Sequence, residues 1–153
     1  MPTLESCPAY QIIKAEKADK KDIKRFYRQQ NYSAGFLGLD HCYLVRFQQK
    51  IIAAVIVSQI KPENDQHFLH ALMVDGQHRQ KHLASALLHH TIKHHQPLVC
   101  FSGSSLATLY TQMGFKLAKP CDLTQTLNLR FQAYCKKIND LLIFIHQAND
   151  DKN

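Results

Sequence analysis

No stretch of this sequence approaches the roughly 20 consecutive apolar residues that a bilayer-spanning helix needs. The longest apolar run, Ile51 to Val57, has the length of a strand. Met1-Pro2-Thr3-Leu4-Glu5 shows no basic segment followed by an apolar block, so no secretory signal is expected and the cytoplasm is the default compartment. Glycine and proline are scarce at five each, and neither internal repeats nor a low-complexity linker can be found. The five cysteines, at positions 7, 42, 100, 121 and 135, are odd in number and lack CxxC spacing. That pattern excludes a disulfide framework and a zinc knuckle, and it predicts reduced thiols packed mostly as small hydrophobes. Nor is there a Lys/Arg block longer than two outside Lys20-Lys21 with Arg25 and Arg28, so no dedicated nucleic-acid arm is expected.

What is present is enough apolar material for a core: 45% of 153 residues, against 20% charged. One domain over 1–148 and a frayed polar tail over 149–153 are the expectation. The formal charge is +7 with ten histidines counted neutral. Such a surface attracts polyanions, whether nucleic acid, acidic proteins or a phosphate-rich cofactor.

Periodicity predicts the elements. Asp19 to Gln30 carries Ile23, Phe26 and Tyr27 at helical spacing, with Asp19 as a candidate cap. Tyr32 to Asp40 reads as a loop. His41 to Arg46 and Ile51 to Ile60 read as strands around a polar turn, the second rich enough in β-branched residues for burial on both faces. After a turn at 61–65 comes a strand from His67 to Val74, broken by Asp75-Gly76. Leu83, Ala84, Leu87, Leu88 and Ile92 then share one helix face. Leu98 to Phe101 is a short strand, and Ser104 to Met113 a helix stopped by Gly114. Phe115 to Ala118, Leu127 to Ile138 and Leu141 to Ile145 follow as strand, helix and strand. The result is a mixed α/β domain with a mostly antiparallel twisted sheet and flanking helices. An exposed terminal strand at Leu141 to Ile145 could pair with a copy of itself, giving a homodimer.

The most informative stretch runs from His70 to Leu88. A strand enters a short basic turn, and the turn opens an amphipathic helix. First-turn N–H groups and the helix dipole suit a pyrophosphate, and Arg79 and Lys81 add full charges there. Arg79-Gln80-Lys81-His82-Leu83-Ala84, five residues after Val74, resembles the Arg/Gln-x-x-Gly-x-Gly/Ala signature of the Gcn5-related N-acetyltransferase (GNAT) superfamily. Here His82 replaces the middle glycine. Downstream, Ala107-Thr-Leu-Tyr110-Thr-Gln-Met-Gly114-Phe115 resembles that family's A-x-x-h-Y-x-x-h-G-F segment, where h is apolar.

The resemblance implies acetyl-CoA as acyl donor, with no metal, and a primary amine as acceptor in a ternary complex. It implies that Leu72, Met73 and Val74 pair with the pantetheine arm. Arg79, Gln80, Lys81, His82, Leu83, Ala84 and Ser85 would hold the pyrophosphate, and Tyr110 would be the general acid for the departing thiolate. His70-Ala-Leu-Met-Val74 is similar to the strand of aralkylamine N-acetyltransferases. This suggests His70 as a base or an entry to a water chain, with a pKa near 7 as the requirement. Strand alternation puts His70, Leu72 and Val74 on one face.

Plainer accounts exist for each residue: a solvated helix start for Arg79 and Lys81, a core tyrosine for Tyr110, and a hydrogen-bonded sheet histidine for His70. The pair His90 and His94 has chelating i, i+4 spacing. No Cys or carboxylate completes a metal set there, and histidines at a helix C-terminus have a simple dipole account. Two other functions stay open: a non-catalytic acyl-CoA-binding module, prompted by His82, and a nucleic-acid-associated basic protein. Tyr32, Phe36 and Leu37 hint at a partly apolar acceptor wall.

Overall fold

A computed structural model describes residues 10–32, 40–60 and 66–148. Most of the loop expected after Tyr32, the turn at 61–65 and the tail lie outside the described residues. Seven strands and four α-helices are found among those described. In chain order they are β1 (Ile12–Lys14), α1 (Lys20–Gln29), β2 (His41–Phe47), β3 (Lys50–Gln59), β4 (His67–Val74) and α2 (Leu83–His94). Then come β5 (Leu98–Gly103), α3 (Ala107–Gln112), β6 (Lys116–Ala118), α4 (Gln125–Cys135) and β7 (Leu141–His146). The strands form one sheet in the order β1-β2-β3-β4-β5-β7-β6.

Local chemistry explains the boundaries. The β2–β3 turn has Gln48 at φ +53° and Gln49 at φ +70°. Two positive-φ residues in a two-residue loop match the right-handed twist of the strands they join. Asp19 sits before α1 but does not cap it with its side chain. Its carboxylate instead accepts from the Glu16 backbone N–H at 2.8 Å and from Arg46 at 2.9 Å, closing the preceding turn. At the far end of α3, Gly114 adopts φ +94°. The Gly114 N–H reaches Thr111 O at 3.0 Å and the Phe115 N–H reaches Tyr110 O at 3.0 Å, the paired bonds of a Schellman cap.

The sheet separates two apolar layers. On one side α2 buries Leu83, Leu87 and Leu88 against Val45, Val55, Val57, Leu69 and Leu98. Each such leucine contributes about 1.5–3 kcal/mol. On the other, α1 packs Ile23, Phe26 and Tyr27 on Leu44, Ala54 and Ile56, and α4 sets Leu127 against Phe68, Val99 and Ile143.

Two sequence expectations fail here. β7 is no exposed edge: it lies between β5 and β6 and pairs with both, so it has no free side for a second copy. Two strands come together only after the long excursion that carries α4, and that insertion of β7 has no local signal. β1 was not anticipated at all. Only Ile12 of its three residues is even half-buried, and a three-residue edge strand is too short to carry a periodic signature.

Candidate active site

β4 pairs antiparallel with β3 along its length but parallel with β5 at only two positions, His67–Leu98 and Phe68–Val99. Beyond them β5 follows β7 as far as Gly103. From residue 69 onward the β5-facing edge of β4 therefore has no strand partner among the described residues. A cleft opens there, about 470 Å³ in volume. Its inner wall is Leu72, Met73 and Val74, and its mouth is Arg79, Gln80, His82, Leu83, Ala84 and Ser85. Nine of the ten residues expected around the donor thus line one cavity. Lys81 is exposed and outside the lining, and His78, Leu106 and Leu109 complete it. A larger hollow of about 800 Å³ lies beside β6, among Gly114, Lys116 and Ala118, and it holds none of these groups.

The mouth is built to receive an anion. Arg79 has φ −73° and is followed by Gln80 at φ +65°, with His82 at φ +61°. Arg79 itself is extended, with ψ 162°, so the turn is made by the two left-handed residues that follow. α2 starts immediately after, and no side chain caps its N-terminus. Its first-turn amides therefore remain available to a ligand. His82 takes a left-handed conformation, which glycine adopts without strain, and its side chain is exposed.

At the inner end the strand is irregular. Ala54 pairs with Met73 but Ile56 with His70, so two residues, Ala71 and Leu72, oppose Val55. Ala71 has φ +59°. This β-bulge frees backbone groups from the ladder and reverses the alternation. Leu72 and Val74 pack on the α2 side, whereas His70 stacks on Phe68 across the sheet, with ring centroids 5.1 Å apart. The expectation that His70 shares a face with Leu72 and Val74 is therefore wrong, and the extra residue is the reason. The Ala71 carbonyl accepts from the Tyr27 hydroxyl at 2.8 Å.

Burial, against the upward pull of Asp40 and with a push from Arg130, brings the His70 imidazole down to about 4 rather than the 7 expected of a base. Its Nε2 lies 2.9 Å from Ser58 Oγ. Tyr110 is 4% exposed and stacks on Phe144 at 5.2 Å. Its hydroxyl is bonded to the Cys100 thiol, one residue past the last β4–β5 pair, and burial raises its pKa well above the ordinary value. Cys100 itself is held as the thiol by burial. Sequence reasoning did not find Ser58, Tyr27 or Arg130. Each reaches the site through pairing or packing across the sheet, for which the local sequence has no mark. The imidazoles of His90 and His94 stack 4.3 Å apart, but no group able to hold a metal ion is found among the described residues.

A split sheet, an uncapped helix start and an apolar cleft that leads to a bulge thus meet in one place. The model of the acetyltransferase (GNAT) domain matches residues 38–117, and the chain belongs to that family. Among solved structures, N-acetylglutamate synthase from Neisseria gonorrhoeae, complexed with coenzyme A and N-acetyl-glutamate, is similar with TM-score 0.71 and 15% identity, over 93% of this chain and 36% of that one. This chain thus spans about a third of that relative's length. The ribosomal-protein-S18-alanine N-acetyltransferase of Escherichia coli gives TM-score 0.66 and 16% identity, covering 95% of this chain and 99% of the other. A GNAT-family acetyltransferase from Staphylococcus aureus Mu50 gives 0.63 and 16%, over 90% and 98%. No curated protein matches the chain by sequence.

Proposed function

We propose that the chain transfers an acetyl group from acetyl-CoA to a primary amine by direct attack in a ternary complex. The observation that carries this reading is the run of uncapped amides at the start of α2, set with Arg79 at the mouth of the β4–β5 cleft. The pyrophosphate would rest on residues 79–85, Lys81 contributing charge from outside the lining. The pantetheine arm would replace the missing strand beside Leu72, Met73 and Val74. The free backbone groups at the Ala71 bulge suit an oxyanion, since fixed N–H dipoles stabilise charge as it develops. The N–C bond forms as the C–S bond breaks. The amine proton leaves toward solvent, and the sulfur departs with the electron pair.

Tyr110 is protonated at neutral pH, as a donor to that sulfur must be. His70 is neutral over the whole physiological range. That makes it a weak base but a good relay, and with Ser58 it would open a proton path from the amine. Cys42, Cys100, Cys121 and Cys135 are free thiols, in keeping with a cytoplasmic enzyme.

Calorimetry with acetyl-CoA, together with thiol release across an amine panel, tests the reading. We expect saturable donor binding. His70→Ala and Tyr110→Phe should each lower kcat by about 10²-fold or more while leaving donor affinity intact. A chain whose Tm does not rise at millimolar acetyl-CoA is not this enzyme.

A further inference from the structure

β6 and β7 are antiparallel neighbours, yet residues 119–140 intervene where a hairpin would close in a few. That excursion carries α4 over the face of the sheet that holds His70. It is pinned there by Gln66, whose side chain donates to Asp122 O and accepts from Thr124 N–H, both at 2.9 Å. The inward face of α4 is Leu127, Arg130, Phe131 and Tyr134, at i, i+3, i+4 and i+7. Three of the four are what such a face requires. Phe131 and Tyr134 meet Phe101 at 5.1 and 5.9 Å. Arg130 is the exception, a half-buried guanidinium whose Cζ lies 5.3 Å above the Phe68 ring.

Charges on core-facing positions are ordinarily paired with acids. No carboxylate forms an ion pair with Arg130 among the described residues. The His70 ring also stacks on Phe68, so Arg130 shares that aromatic neighbour with the residue beside the bulge. Accepting the acetyl-transfer reading above, we infer that Arg130 binds the carboxylate of the acceptor, which is therefore an amino acid rather than a simple amine. A guanidinium suits this role because its planar fork matches a carboxylate in two parallel bonds.

The test uses the full chain loaded with CoA, titrated with the twenty N-acetyl-L-amino acids and with the N-acetylated amines made by removing their carboxylates. At least one amino-acid product should bind, and its decarboxylated partner should bind 10-fold or more weakly. Arg130→Gln should abolish that difference, Arg130→Lys should restore part of it, and CoA affinity and Tm should stay as in the wild type. The inference is overturned if no amino-acid product binds, if the paired amines bind equally, or if Arg130→Gln weakens both members alike. Efficient acetylation of carboxylate-free amines also overturns it while leaving the transfer reading intact. Arg130-dependent binding without any turnover sinks the transfer reading and leaves the carboxylate site standing.

Discussion

His82 holds φ +61° with a full side chain at a position where the Cβ crowds its own carbonyl. For an L-residue that conformation costs about 1–2 kcal/mol, and glycine removes most of it. His82→Gly should therefore raise unfolding free energy by about 1 kcal/mol in urea titration, after the larger chain entropy of glycine is deducted. Because the imidazole is exposed and the backbone is already left-handed, acetyl-CoA affinity should not fall. A weaker donor complex in the variant would mean that the imidazole itself touches the phosphates. Ala71 raises the same conformational question inside a strand, and there the answer was invisible beforehand. Nothing in His70-Ala-Leu-Met-Val74 distinguishes a bulged run from a regular one, since the usual marker is glycine. What was legible was that Leu72 to Val74 and the turn from Arg79 to Ser85 belong to one strand–turn–helix unit, which lines one cleft. What was not was the face each side chain would take.

Elements with strong punctuation were readable. β4 runs over the stretch its composition suggested, and α2 begins at Leu83 as the apolar spacing required. Gly114 ends its helix as expected, and the cap is tight: a Cβ there would lie 3.1 Å from His146 Nε2. Gly114→Ala combines that contact with a left-handed φ, so it should destabilise by about 1–2 kcal/mol. Thermal unfolding reads this as a fall of roughly 2–4 °C per kcal/mol for a chain of this size. Unchanged Tm would show that the Schellman turn relaxes at no cost. The elements that escaped reading share a physical cause. β1 is too short for periodicity, and β7 owes its inner place to a connection 22 residues long, spanning 119–140. Long-range pairing is decided by the whole sheet rather than by the strand that joins it.

Over the whole molecule, acid sensitivity follows from buried imidazoles. His70 and His95 are both pushed down to about 4, each chiefly by burial, and His95 also bonds the Tyr43 hydroxyl at 2.7 Å. An unfolded histidine takes up its proton near 6.5. Between those values the unfolded chain binds more protons than the folded one, so stability is full above about 6.5 and declines as pH falls toward 4. Each imidazole contributes at most about 1.4 kcal/mol per pH unit in that window. Tm measured from pH 7 to pH 4 should drop steadily, and His95→Gln should flatten the slope. A Tm independent of pH across the interval would show that neither ring is held neutral.

The two-pair junction between β4 and β5 has a mechanical corollary. Strands β1 to β4 and strands β5 to β7 are stitched together by little more than His67–Leu98, Phe68–Val99 and the side chains above and below. An extended molecule laid into that seam does the work of an eighth strand, bridging halves that the polypeptide leaves ajar. Its amide groups would splint the sheet across that seam. Substrate would then be a temporary piece of the architecture as well as the thing consumed.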